Sequence, residues 1–263
     1  MWAGGLLVIL LLLFAFAAPL IGPEGMDKQD LMMRLKPPSA KFLLGTDQLG
    51  RSILTRLAYG GQYSLKVGLV SVAIGAGIGI LVGALAGYYG GWVDKVLMGL
   101  VEILLAFPGI LLAIAIVAAL GPGLVNVMIA VGIRGMPTFA RLVRGQVLSV
   151  RRREYVEAAQ ALGSADGRII ARHIFPNIMA PVIVLASLDI ASAILSVASL
   201  SFLGLGSQPP IPDWGGMIDQ GRQYLRTAWW VGVYPGLAIM MTVLGFNLLG
   251  DALRDLLDPR LKT

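Results

Sequence analysis

The chain has 263 residues, of which 57% are hydrophobic and 14% are charged, and its 21 basic and 15 acidic residues leave a net charge of +6. About 150 apolar positions exceed what a soluble core of this length usually buries. Six membrane-spanning helices of about 20 residues each would take up roughly 120 of them. The composition therefore excludes a disordered or nucleic-acid-binding chain and predicts an all-α, polytopic membrane protein.

Missing residue types exclude several kinds of chemistry. The chain has no cysteine and a single histidine, His173, which excludes disulfides, thiol nucleophiles and a histidine-based metal cluster. It also contains no Gly-Lys dipeptide and hence no phosphate-binding loop of the nucleotide hydrolases. We therefore expect no catalytic residue, metal ligand or bound cofactor in this chain, and any ATP chemistry must belong to a partner.

The first membrane-spanning helix is predicted over residues 2–22, an uninterrupted apolar run. A cleaved signal peptide is the alternative, because Ala15-Phe16-Ala17 resembles a cleavage site, but no basic residue precedes the run. Residues 23–61 are polar and contain several prolines and glycines, so we predict a connecting segment with one short amphipathic helix. The second span is expected over about 63–87.

Four more spans are predicted by the apolar runs that follow. The third contains Glu102 and should bend at Pro108, and Arg134 interrupts the fourth. The expected bounds of these four spans are 96–120, 124–142, 177–203 and 228–249.

A long basic stretch covers residues 141–173. Three predicted spans separate it from the segment 23–61, so the two must lie on opposite sides of the membrane. The side with the basic stretch also holds the polar tail, 251–263, and a small excess of basic residues that includes Arg151-Arg152-Arg153. The positive-inside rule therefore favours a cytoplasmic basic stretch and a cytoplasmic C terminus.

Residues 153–177 contain two short amphipathic segments on either side of Gly163, which can take the left-handed conformation that ends a helix. We expect Ser164 to cap the second helix, Asp166 to lie in its first turn, and Pro176 to mark the junction with the fifth span. The residues that recur at helical spacing are Tyr155, Val156, Ala159 and Leu162, then Ile169, Ile170, His173 and Ile174. Such a pair fits a groove on a cytoplasmic partner, and the open alternative is a hairpin resting on anionic lipid headgroups.

The same stretch resembles a known motif. Glu157-Ala158-Ala159, Gly163 and Pro176 match the EAA motif of the membrane subunits of ATP-binding-cassette (ABC) importers, and Arg172-His173 is similar to its peptide-importer variant. Other segments resemble signatures of the C-type permease subunit in the dipeptide, oligopeptide and nickel importers. They are LGTD at 44–47, LGR at 49–51, YG at 59–60, SLSFLGLG at 199–206, WG at 214–215, FNLLGD at 246–251 and LDPR at 257–260.

Three residues depart from the pattern of that family. Ser52 and Gln62 stand where it usually has Asp and Arg, and Phe175 stands where the EAA motif prefers Leu. The first two lie outside the coupling stretch, so they concern assembly or substrate rather than coupling.

The resemblance implies a heteromeric importer with a second homologous permease subunit, two ATPase subunits that hold ATP and Mg, and an extracytoplasmic substrate-binding protein. In that family the EAA loop sits in a cleft of one ATPase. Glu157 would then contact the ATPase, and its alternative is a local ion pair with Arg153. The ATPase-coupling residues that the resemblance implies are Glu157, Ala158, Ala159, Gly163, Asp166, Arg172, His173 and Pro176.

The second span carries a stripe of small residues at four-residue spacing, which lets membrane helices approach closely. The stripe consists of Ser71, Gly75, Gly79, Gly83 and Gly87. It predicts a tight helix contact and indicates nothing about the substrate.

A polar face on the fifth span is the candidate transport path. Asp189 lies near the middle of the span, and a carboxylate at that depth is costly unless it faces water, a basic partner or a substrate. Asp189, Ser192, Ser196 and Ser199 fall on about the same helix face. The alternative is a buried pair between Asp189 and Arg134, with serines that only pack helices.

The sequence as a whole thus predicts six transmembrane helices and a cytoplasmic EAA coupling loop. Residues 1–62 would hold the first helix and an extracytoplasmic connecting segment, and residues 63–263 a five-helix permease core with coupling helices at about 153–176. We expect a permease in a bacterial or archaeal plasma membrane that forms half of a pore for short peptides. The alternatives are a permease for nickel chelates or other small solutes, or a stand-alone secondary transporter.

Overall fold

The computed structural model describes residues 2–257, which form eleven α-helices and no β-strand. Met1 and nearly all of the predicted LDPR signature and polar tail beyond Leu257 lie outside the described residues. The predicted all-α class is confirmed. The helices are α1 Trp2–Phe16, α2 Ala18–Ile21, α3 Ile53–Tyr89, α4 Gly91–Ala106, α5 Gly109–Leu120, α6 Leu124–Arg151, α7 Glu154–Ala161, α8 Asp166–Ile169, α9 Phe175–Phe202, α10 Trp214–Gly221 and α11 Trp230–Leu257.

Three helices are long and apolar enough to cross a membrane by themselves: Ile53–Tyr89, the continuous helix Asp166–Phe202, and Trp230–Leu257. The pair α4 and α5 together meets the same criterion but is bent by 95°. The predicted bend at Pro108 is therefore confirmed as a sharp break. Of the other predicted spans, α1 has 15 residues, and α6 has 28 residues with several arginines among them.

The bent pair α4–α5 runs antiparallel to α6 along most of its length. Asp94, near the start of α4, accepts two hydrogen bonds from Arg144 of α6 at 2.5 and 2.6 Å. Gly109, at the start of α5, lies against Arg134, further towards the N terminus of α6. Because these contacts move steadily along α6, α4 and α5 together make one pass through the bundle rather than a hairpin that returns to the same end.

Neighbouring helices show the same alternation of direction. Gly4 lies against Leu249 and Val8 against Gly245, so α1 and α11 are antiparallel. Gly250 of α11 lies against α9, whose first half shares a cavity with the last turn of α11. Within residues 2–257 the chain therefore makes six passes of alternating direction: α1, α3, α4–α5, α6, α8–α9 and α11. We call the end that holds α7 and α8 the coupling end, and the end that holds α10 the opposite end.

The small-residue stripe of α3 lies against α6, and the two helices run parallel. A Cβ atom on Gly75 would come within 2.7 Å of the Gly132 carbonyl oxygen, and one on Gly87 within 2.9 Å of the Val147 Cβ atom. Ser71, Gly79 and Gly83 are buried in the same contact. Larger side chains would push the two backbones apart, because membrane helices gain their packing energy from this close approach.

Helix α3 begins at Ile53, well before the predicted start of the second span, so the division predicted after residue 62 falls inside a helix. Polar residues lower the hydropathy of this first part of α3, so the sequence pattern did not predict it as part of the second span. In the structure these residues contact other parts of the chain. Gln62 donates a hydrogen bond to the carbonyl oxygen of Ala15 in α1 at 2.8 Å, and Ser52 caps the helix by accepting from the Thr55 amide. A short amphipathic helix was predicted within residues 23–61; residues 23–52 contain a 3₁₀ turn at Leu31–Met33, and the α-helix in that range is the start of α3.

Buried charges hold the connecting segment at the opposite end. The Asp47 carboxylate lies 2.6 Å from Nε of Arg51 and 3.6 Å from Nε of Arg56, and all three residues are at most 5% exposed. The indole of Trp230 donates to the Thr46 carbonyl oxygen at 3.1 Å. The LGTD and LGR segments thus form a network of hydrogen bonds and ion pairs that joins the connecting segment to α3 and α11.

Candidate functional site: an exposed helical loop and a polar cavity

The predicted coupling stretch forms two short helices around a tight turn. Gly163 follows α7 with φ of +75°, a conformation that side-chain-bearing residues rarely adopt. Its amide donates to Gln160 at 2.9 Å, and the amide of Ser164 donates to Ala159 at 3.1 Å, so both last-turn carbonyls are satisfied. The prediction that Ser164 caps the next helix is wrong: Ala165 holds that position without a side-chain bond, because Ser164 is used to close α7.

One face of this loop is buried in an apolar cluster at the coupling end. Val156 of α7, Ile169 of α8 and Ile174 are fully buried against Val147 and Val150 of α6. The helical spacing anticipated this face only in part. Ala159 is buried as expected, but Leu162 is 86% exposed, because it lies at the C-cap of α7, where the chain turns away from the cluster.

One hydrogen bond between side chains ties the loop to α3. The hydroxyl of Tyr88 donates to the Asp166 carboxylate at 2.7 Å, and the Arg151 guanidinium lies 5.6 Å from the Tyr88 ring centre. Asp166 therefore positions the loop on the bundle. Sequence reasoning missed Tyr88 and the role of Arg151. A tyrosine at the end of an apolar span was the only signal for the first, since its partner lies 78 residues further along the chain.

The outward face of the loop carries the remaining predicted coupling residues. Glu157, Ala158, Gly163, Arg172 and Pro176 are exposed. Among the residues that the structure describes, Glu157 forms no salt bridge within 4.0 Å, so the alternative pair with Arg153 is not formed. The ring of half-buried His173 lies 6.3 Å from the Tyr155 ring, centre to centre, which indicates packing between the two short helices.

The second short helix continues directly into α9. Residues Ile170–Ile174 form a π-helical turn, and the amide of Phe175 donates to the carbonyl of Ile170, so Asp166–Phe202 is one helix. The predicted junction at Pro176 is therefore wrong. Proline lacks an amide donor, and a π-helical turn before it accommodates the missing bond. The loop and α9 are consequently joined by a continuous helical backbone.

A cavity of about 350 Å³ lies at the break between α4 and α5. It is lined by Phe107 and Gly109 at the break and by polar residues of α6 and α9. Arg134 donates from Nη2 to the Ser192 hydroxyl at 3.0 Å. No salt bridge within 4.0 Å joins Arg134 to Asp189 in the described part of the chain, so the alternative of a closed ion pair is not formed.

The predicted serine stripe does not face the cavity as a unit. Asp189 and Ser192 line it, but Ser196 and Ser199 do not. The hydroxyls of Ser196 and Ser199 donate to the carbonyls of Ser192 and Leu195, both at 2.8 Å. The structure therefore brings together Asp189, Ser192 and Arg134. From the sequence, Arg134 was predicted only as an alternative ion-pair partner of Asp189.

Apolar helices of alternating direction, an exposed helical loop and a polar cavity at the break between α4 and α5 are typical of a multi-pass membrane transport subunit. The chain belongs to the family described as "binding-protein-dependent transport system inner membrane component", whose model matches residues 79–263. A second model, "N-terminal TM domain of oligopeptide transport permease C", matches residues 1–38. The resemblance to C-type permeases of ABC importers is thus confirmed.

Curated relatives match nearly the whole chain. The dipeptide transport system permease protein DppC of Alkalihalophilus pseudofirmus is 48% identical over 260 residues, covering 98% of this chain and 86% of that protein. The glutathione transport system permease protein GsiD of Pectobacterium atrosepticum is 47% identical, with 99% and 87% covered. The di/tripeptide transport system permease protein DppC of Pseudomonas aeruginosa is 48% identical, with 98% and 88% covered.

Solved structures share the fold. The inward-facing MetNI methionine ABC transporter superposes with a TM-score of 0.62 at 20% identity, covering 77% of this chain and 96% of that chain. An amino acid ABC transporter gives a TM-score of 0.58 at 15% identity, with 76% and 92% covered. The chain is a multi-pass ABC transporter permease.

Proposed function

We propose that this chain forms half of the translocation pore of an importer for short peptides and couples that pore to ATP hydrolysis on partner subunits. The proposed assembly contains a second homologous permease, two ATPases that hold ATP and Mg, and an extracytoplasmic substrate-binding protein. Peptide transport is named for two of the relatives given above, DppC of A. pseudofirmus and DppC of P. aeruginosa. Six crossings of a plasma membrane, with the coupling end and the C terminus in the cytoplasm, complete the proposal.

The observation that carries the proposal is the division of the α7–α8 loop into a buried and an exposed face. Apolar side chains hold it on the bundle, while Glu157 and Arg172 are left exposed. An exposed helical knob of this kind suits a groove on a partner. Because α8 continues into α9, movement of the docked ATPase would reach Asp189 and Ser192 along one helix.

Coupling also requires two pore states that partners bind unequally, since a partner with equal affinity for both shifts neither. We propose that ATP-bound ATPases bind one pore state more tightly at the α7–α8 loop. The loaded binding protein would bind the same pore state more tightly at the opposite end. The two ends of the bundle offer separate surfaces for these partners.

Co-purification tests the coupling role. Glu157→Lys should abolish recovery of the ATPase with the permease, and Gly163→Pro should do the same because proline cannot adopt a φ of +75°. Glu24→Lys, the same charge change on an exposed residue of the opposite end, is the matched control. Full recovery of the ATPase and full ATP-driven uptake of radiolabelled Ala-Ala in the Glu157 and Gly163 variants would contradict the assignment.

The absence of cysteine from the sequence makes the orientation testable by single-cysteine labelling. Ala161→Cys at the coupling end and Ser39→Cys at the opposite end both place a thiol at an exposed position. In intact cells with a permeabilised outer envelope, a membrane-impermeant maleimide should label only the second. Labelling of Ala161→Cys under those conditions would place the loop outside the cell and refute the coupling proposal.

A further inference from the structure

We propose that the cavity at the break between α4 and α5 binds the charged termini of a zwitterionic peptide, with Arg134 facing the carboxylate and Asp189 the ammonium group. This inference rests on the proposed peptide transport and adds the site and the chemical feature that it recognises.

The two charged side chains share one cavity but form no salt bridge within 4.0 Å in the described part of the chain. Arg134 uses Nη2 on Ser192, while its Nε atom is buried without a hydrogen-bond partner. The Asp189 carboxylate accepts no hydrogen bond from the described residues and stays accessible to the cavity, where it is placed beside the α6 backbone at Gly135. Unpaired charges inside a membrane bundle are costly and mark substrate or ion pathways.

The cavity is large enough for a short peptide. The volume of about 350 Å³ lies within the range of about 300–1,000 Å³ typical of small-molecule sites. An extended dipeptide is about 7 Å long and carries one charge of each sign at its ends. A ligand of this kind would give both Arg134 and Asp189 a partner of opposite charge at once, which an inorganic anion or cation could not do.

The remaining lining explains how one site would accept many peptides. Apart from Arg134 and Asp189, the described lining contains no charged side chain, and its large apolar residues are Leu104, Leu105, Phe107 and Leu112. Such a wall sets no charge requirement on the peptide's own side chains. The site would therefore read the two termini, which all unmodified peptides share.

Uptake by the complete importer in proteoliposomes tests the inference. The probes are Ala-Ala, its C-terminal amide and N-acetyl-Ala-Ala, each supplied at a concentration that saturates the binding protein, so that discrimination arises after delivery. In Arg134→Gln the preference for Ala-Ala over the amide should fall at least tenfold, and in Asp189→Asn the preference for Ala-Ala over the acetylated peptide should fall equally. Glu102→Gln, which neutralises an exposed acid of α4 outside this cavity, should keep both preferences within twofold of wild type.

Each result decides between binding and a structural role. Unchanged preferences in assembled Arg134 and Asp189 variants would overturn the inference while leaving peptide transport intact. Lack of ATP-driven Ala-Ala uptake by the wild-type complex would instead refute the proposed function. The double variant Arg134→Gln/Asp189→Asn leaves no uncompensated charge, so it should assemble and lose both preferences. If neither single variant nor the double variant assembles, the pair is structural and the inference is equally overturned.

Discussion

The two ends of the bundle hold their polypeptide segments by opposite means. At the opposite end, charges are buried and paired, with Asp47 between Arg51 and Arg56. At the coupling end, buried apolar side chains such as Val156 hold the loop, and its charged residues face outwards.

This difference separates a segment that is tied to its own chain from a surface left available for a partner. Removing one partner of a buried ion pair is strongly destabilising, because the other charge stays buried without a partner and without hydration. Apolar contacts carry no such directional requirement. The proposed coupling loop can therefore keep its charges exposed without weakening its attachment to the bundle. Four substitutions test this contrast.

The largest loss of stability is expected from Asp47→Asn. Removing this carboxylate leaves Arg51 and Arg56 buried without their shared partner, so the free energy of unfolding should fall by about 3–5 kcal/mol, as measured by denaturant unfolding in mixed micelles. Asp27→Asn is the matched control, because Asp27 is 48% exposed and 3.7 Å from Arg51; a carboxylate that solvent still reaches should contribute only about 0–1 kcal/mol. Equal effects of the two variants would show that the buried ion pairs of Asp47 do not stabilise this end of the protein.

At the coupling end, Ile169→Ala should have the greatest effect. Ile169 is fully buried, and truncations of this kind cost about 2–5 kcal/mol through lost transfer energy and the cavity left behind. Amide hydrogen exchange should accelerate across residues 154–174, while the segment 44–56 stays protected. Leu162→Ala serves for comparison, since this exposed leucine should change stability by no more than about 0.5 kcal/mol. Uniform acceleration at both ends would mean that the loop is not attached independently.

A smaller effect is expected from Tyr88→Phe. The substitution removes the hydrogen bond to Asp166 and should lower the free energy that keeps the loop docked by about 0.5–1.5 kcal/mol, again read from hydrogen exchange of residues 154–174. Tyr89→Phe changes the neighbouring exposed ring and should leave exchange as in the wild type. An identical response to both substitutions would show that the hydrogen bond between Tyr88 and Asp166 does not keep the loop docked.

The smallest effect on stability is expected from Glu157→Gln. Because this side chain is exposed and has no salt bridge in the described part of the chain, unfolding should change by no more than about 0.5 kcal/mol. Recovery of the ATPase should nevertheless fall. A clear loss of stability with normal ATPase recovery would reverse the assignment and make Glu157 a structural residue.

Much of the site was predictable because its signals are local. The helical repeat of apolar residues anticipated the burial of Val156 and Ile169, and Gly163 lies at the turn where its conformational freedom predicted one. The break at Pro108 follows from the chemistry of proline. The start of α3 was missed because Arg56 and Gln62 make the segment polar, and their partners Asp47 and Ala15 belong to other parts of the chain.

The amino-acid sequence by itself determined the all-α class, the family and the position of the two short helices around Gly163, since hydropathy, helical period and turn residues act over a few neighbours. Only the tertiary structure decided that α3 packs in parallel on α6, that Asp166 is held by Tyr88, and that Arg134 and Asp189 line one cavity without pairing. These contacts join residues far apart in sequence. Their partners are chosen by how the helices pack against one another, which no local pattern specifies.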